Sequence, residues 1–154
     1  MQFSLLPANP LASRHLRFTP LWLSVGLGLV LCICFLSVIS VPAEVKKFLL
    51  HDKLLHVAAY GLLMGWFAQI FRRDRSRIFL AIGFVLMGVA IEYVQGQVPT
   101  RRFEVLDMIA NTSGIMLAWA LAYTWMGRIL EWFENTFLAW VPLSNGADES
   151  TSLA

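Results

Sequence analysis

Four apolar runs limit what this chain can become: Leu21–Val41, Leu54–Phe71, Ile78–Val94 and Val105–Met126. Each comes close to the roughly 20 residues that a helix needs to cross a hydrocarbon core about 30 Å thick. In lipid the backbone must satisfy its own N–H and C=O groups, so runs of this kind become helices. Composition agrees. The 154 residues are 58% hydrophobic and 14% charged, whereas soluble domains average about 45–50% and about 25%. The chain reads as an all-α membrane protein of one domain, with four transmembrane helices spanning residues 21–126.

The flanks read differently. Residues 1–20 hold Pro7, Pro10 and Pro20 with Arg14 and Arg17, a loose leader. Residues 128–141 place Ile129, Trp132, Phe133, Phe137, Trp140 and Val141 on one helical face, with Arg128, Glu131 and Glu134 elsewhere. That pattern predicts an amphipathic helix in the membrane interface. The tail, residues 142–154, is polar and expected to be disordered.

Charge predicts orientation. Arg14, Arg17, the four arginines of residues 72–77 and Arg128 fall on one side of a four-span bundle. Lys46, Lys47, Lys53, Arg101 and Arg102 fall on the other. The concentrated run marks the cytoplasmic side, so both termini are expected there. Trp22, Trp66 and Trp125 then lie near the cytoplasmic interface. A net charge of +2 gives no reason to expect a nucleic-acid partner. Cys32 and Cys34, two residues apart in the first run, point to different helix faces and read as packing.

The rare polar residues of the apolar runs gather at one end. Asp52, Lys53 and His56 open the second run, Glu92 and Gln95 close the third, and Asp107 and Asn111 sit in the first turns of the fourth, just after Arg101. An ionisable group in lipid is paired or functional. Asp52 reads as a helix cap and Lys53 as a snorkelling or ligand-facing cation. His56 is a ready base or ligand. Glu92 is either balanced by Arg101 or Lys53 or acts as an acid–base group. Gln95 reads as satisfying backbone groups. Arg101 suits a phosphate or carboxylate, or pairs with Asp107 or Glu92. Ligand-binding candidates are therefore Lys53, His56, Glu92, Gln95, Arg101, Asp107 and Asn111; His56, Glu92 and Asp107 are also the candidates for catalysis. No ligand spacing calls for a metal, and no cofactor motif is present.

Small residues suggest how helices meet. Ala110, Gly114, Ala118 and Ala122 form a stripe at i+4 spacing, and Gly61 and Gly65 make a GxxxG. Both patterns let backbones approach, within the chain or in a homo-oligomer.

Three pieces of this pattern together resemble the VanZ-like family of small bacterial membrane proteins. They are Asp52-Lys53-x-x-His56, Glu92-x-x-Gln95, and Pro99-x-Arg101-x(5)-Asp107-x-x-x-Asn111-Thr112-x-Gly114, covering residues 52 to 114. Thr100 stands where the family usually has glycine, and Ala118 where a second glycine often follows. The family's founding member is linked to resistance to the glycopeptide teicoplanin. The resemblance implies a multi-pass protein of the bacterial inner membrane, acting at its outer surface on membrane lipids or a lipid-linked envelope precursor. It supplies a context and no reaction. The reading is an outward-facing polar pocket that binds or protects an envelope component; the alternative is a membrane enzyme acting on a lipid-linked substrate.

Overall fold

The computed structural model describes residues 16–38, 52–98 and 103–141. Its elements are helical: α1 (Thr19–Val38), α2 (Asp52–Ile70), α3 (Asp74–Gln95), α4 (Val105–Leu121), a 3-10 turn (Trp125–Arg128) and α5 (Ile129–Phe137). The expected leader before residue 16, most of the link before α2, Arg101 and Arg102, and the tail from residue 142 lie outside the described residues.

Two boundaries differ from the hydropathy pattern. The third helix starts at Asp74, so most of the basic run is helical. The fourth ends at Leu121, and the chain then bends by 78° into the segment Trp125–Phe137. Gly127 permits this bend, because a Cβ there would overlap the Ala122 carbonyl oxygen. The Thr124 hydroxyl accepts the Met126 N–H at 3.3 Å and caps the 3-10 turn.

Among the described residues, α1 and α3 are each long and apolar enough to cross a membrane. The bent pair of α4 and the segment after it makes a third span only if it is counted as one. This is two or three spans, where the sequence leads one to expect four. The reason is local: α2 is interrupted by Lys53, His56 and Gln69, and α4 has 17 residues that include Asp107 and Asn111.

The central contact pairs α2 with α4, and small residues make it possible. A Cβ on Gly61 would lie 3.4 Å from the Gly114 carbonyl oxygen, and one on Gly114 would overlap the Val57 carbonyl oxygen. Such close backbone approach is how helices pack where lipid removes the hydrophobic drive between them. The small-residue stripe is thus used inside the chain. α1 lies against α2, with Gly26 under the Phe67 ring, 2.8 Å from where a Cβ would sit. Leu63, Met64, Phe84 and Ile115 fill the centre.

The other end is closed by capping. Arg77, 2% exposed, gives its Nε to the Phe71 carbonyl at 3.2 Å and an Nη to Ala68 at 3.0 Å, while its guanidinium lies 5.0 Å from the Tyr123 ring centre. It satisfies carbonyls that the end of α2 leaves open. Glu134 of α5, 2% exposed, accepts the backbone N–H groups of Arg17 and Phe18 at 2.7 and 2.9 Å and the Trp22 indole N–H at 2.6 Å. The Arg17 guanidinium returns the contact, donating to the carbonyls of Leu138, Ala139 and Val141 at 2.9 to 3.1 Å. The start of α1 and the end of α5 thereby satisfy each other's free backbone groups.

Candidate functional site

α2 and α4 begin, and α3 ends, at the same end of the bundle, because successive helices run in opposite directions. Their polar side chains meet there. Lys53 Nζ contacts Asp107 Oδ1 and lies 2.5 Å from Glu104 Oε2. Asp107 Oδ2 is 3.4 Å from His56 Nε2, and the other His56 nitrogen is 3.0 Å from Asn111 Oδ1. Asp107 and Asn111 are buried, and His56 is partly buried. Lys53, His56, Asp107 and Asn111 therefore form one connected network across α2 and α4.

Both ring nitrogens of His56 face oxygens in this arrangement. An imidazolium satisfies both, since it donates at each nitrogen. Turning the Asn111 amide over lets a neutral ring accept at Nδ1 and still donate to Asp107. The same turn faces an amide oxygen toward Gly88. A Cβ on Gly88 would lie 3.1 Å from Asn111 Nδ2 and 3.3 Å from Tyr60 Oη. Tyr60, 2% exposed, has a buried hydroxyl with no hydrogen-bond partner among the described residues. The orientation of the Asn111 amide and the tautomer of His56 are therefore set together.

Glu92 and Gln95 of α3 are buried but make separate contacts. Glu92, 1% exposed, accepts the Glu104 backbone N–H at 2.5 Å, tying the end of α3 to the start of α4. Gln95 donates to the Ser37 carbonyl at 2.6 Å, at the end of α1. That is the backbone-satisfying role its sequence position suggests. Lys53 pairs with Asp107 and Glu104, so it is not the cation that balances Glu92. Arg101, the other cation considered for that role, lies outside the described residues. His56, Glu92 and Asp107 do not form a metal-holding set among the described residues.

One neighbour of the network, Tyr60, is not singled out by the sequence pattern. Tyr60 lies four residues after His56, on the same helical face, and that spacing was a usable signal. Glu104, in the polar group that follows Arg101, meets both Lys53 and Glu92. Gly88, one turn before Glu92, is readable in sequence as a position of close approach, and what it meets there, Asn111 and Tyr60, appears only once α2 and α4 are packed beside it.

A family model described as VanZ/LLP1 matches residues 9–127, well over half of the chain. No curated protein matches, and neither does any solved structure.

Proposed function

Because the chain belongs to the VanZ/LLP1 family, we propose that it binds and shields a lipid-linked component at the outer face of a bacterial inner membrane. The observation that carries this reading is the Lys53–Asp107–His56–Asn111 network. It joins two helices at one end of the bundle and keeps charged groups in a region rich in apolar side chains. Arg101, six residues before Asp107, supplies the group for an anionic head, and Glu92 holds the start of α4 in place.

In this reading α1 to α4 all cross the bilayer. α2 and α4 turn their polar groups toward each other, which leaves apolar side chains such as Leu62, Leu117 and Leu121 for lipid. α5 lies in the cytoplasmic interface, with Trp132 and Phe137 exposed on it and Trp140 exposed just after its end. Both termini are cytoplasmic, as the arginine distribution predicts. Self-association through small residues falls to Gly28 and Gly83, whose surroundings are open, since Gly61 and Gly114 are used inside the chain.

The test combines a structure in discs of native lipid with the teicoplanin susceptibility of bacteria expressing wild type, Asp107→Asn or Arg101→Gln. The expected result is a lipid phosphate at the polar end, with the phenotype lost in both variants at unchanged protein level. A lipid-free polar end, with both variants behaving as wild type, refutes the reading.

One feature favours a second reading, a membrane enzyme acting on the same class of component. His56 is held at one nitrogen by Asn111 and faces Asp107 with the other, as a general base with an orienting group is held. A change in the mass of extracted envelope lipid on incubation with the protein, abolished in His56→Gln, would select catalysis over shielding.

A further inference from the structure

The end of the bundle opposite the polar network is basic, and its arginines are of two kinds. Arg17 and Arg77 are engaged with backbone carbonyls of the protein itself, and Arg73 is not free either. Arg72, Arg75 and Arg128 are exposed, and none of them makes a side-chain hydrogen bond or ion pair among the described residues.

Two hydrogen bonds bring these three to one surface. The Leu130 N–H donates to Gln69 Oε1 at 2.9 Å, which fastens the start of α5 to the end of α2, three residues before Arg72. Tyr123 Oη donates to Asp74 Oδ1 at 2.7 Å, which fastens the chain after α4 to the first turn of α3, beside Arg75. Arg128 lies between the two fastened points of its own segment. The surface holds four arginines, 72, 73, 75 and 128, against two exposed acids, Asp74 and Glu131, so positive charge is in excess.

Apolar surface adjoins this charge. Side chains three apart eclipse in a 3-10 turn, so Trp125, 76% exposed, shares an edge with Arg128. Trp132, 59% exposed, follows one turn later on α5. A free anion would need only the guanidiniums. Exposed indoles beside them fit a molecule with an anionic head and an apolar body.

We propose that this surface binds the head group of an anionic phospholipid. Arg72, Arg75 and Arg128 take the phosphate, because a guanidinium offers it two parallel N–H donors. Trp125 and Trp132 lie at the membrane–water boundary, where indole is favoured. The proposal rests on the reading above in one respect, that the helices cross a bilayer with α5 at its interface. It does not depend on what the polar network binds.

The test uses the full chain in mild detergent, titrated with phosphatidylglycerol or with phosphatidylcholine of the same acyl chains, with bound lipid counted by native mass spectrometry. One arginine near an anionic surface contributes about fivefold in affinity, so wild type should bind phosphatidylglycerol at least tenfold more tightly than phosphatidylcholine. Arg128→Gln should weaken phosphatidylglycerol about fivefold, and the double variant Arg72→Gln/Arg75→Gln more than tenfold, with phosphatidylcholine unchanged. These side chains have no partner among the described residues to lose, and thermal unfolding in lipid-free detergent checks that the variants are folded. Lys46→Gln/Lys47→Gln, in the link before α2, removes as much charge from another part of the chain and should leave the preference intact. Equal affinity of wild type for the two lipids overturns the proposal, as does an unchanged preference in the arginine variants or an equal loss in Lys46→Gln/Lys47→Gln. Competition by glycerol phosphate at the lipid's own concentration overturns it in favour of a free anion. A chain that stays in solution without detergent overturns the membrane reading and this proposal with it, whereas loss of the lipid preference alone overturns only the proposal.

Discussion

Gly114→Ala is the sharpest probe of this architecture. The added Cβ would overlap the Val57 carbonyl oxygen and lie 3.0 Å from the Gly61 nitrogen. Both obstacles are backbone, so no side-chain rotation relieves them. A carbon sits comfortably about 3.3 Å or more from a carbonyl oxygen, so α2 and α4 must part by roughly 1 Å. A gap of that size forfeits about a quarter to a half of the dispersion attraction of the atoms facing it. Overpacking of this kind costs about 1–3 kcal/mol, and a backbone-to-backbone clash belongs at the upper end. Alanine recovers up to about 1 kcal/mol of helix propensity relative to glycine. The net loss should be about 2 kcal/mol. Gly83→Ala, with nothing within 4 Å of its Cβ, has the propensity gain without the clash. Reversible unfolding of both variants in the same detergent measures the difference. The parting also stretches the His56–Asn111 bond, so the histidine ring resonances should shift in Gly114→Ala only. If the two alanine variants are equally stable, α2 and α4 do not meet at Gly61 and Gly114, and the reasoning fails.

Three further outcomes are expected. Glu134→Gln removes the charge that three N–H donors share and should lower stability by about 2–3 kcal/mol; in a double-mutant cycle with Arg17→Gln the losses should be strongly non-additive, and simple additivity would show that the two ends do not act as one clamp. Glu92→Ala removes the charged acceptor of the part-buried Glu104 N–H and should cost about 1–3 kcal/mol, whereas Glu92→Gln keeps an acceptor and should lose less; equal losses, both relieved by Arg101→Gln, would mean that a charge pair outweighs this hydrogen bond. In cells expressing a protein without Cys32 and Cys34, an impermeant thiol reagent should label Gln97→Cys and spare Arg75→Cys, and the opposite pattern would invert the proposed topology. Arg75 serves here because the neighbouring Ser76 is fully buried.

The helical class, the position of each main helix to within a few residues, and the end of the bundle where polar groups collect are all legible in the amino-acid sequence. These are local quantities. Apolarity over about 20 residues and the alternating direction of successive helices are enough to set them. The stripe through Gly114 was legible in the same way, since i+4 spacing defines one helical face. The partners were decided only by the tertiary structure. Lys53 meets Asp107 and Glu104 while Glu92 takes a backbone N–H, and nothing in their spacing distinguishes this from the reverse. Arg77 counts as a topology charge in sequence, yet it is buried and caps α2. Glu134 falls on the polar side of an amphipathic pattern, yet that side faces inward and binds the start of α1, more than 110 residues away in the chain. Periodicity reports which residues share a face. Which face turns inward, and what it meets there, depends on how each helix rotates and packs, a choice made by backbone contacts such as Gly61 on Gly114 and not by any one segment.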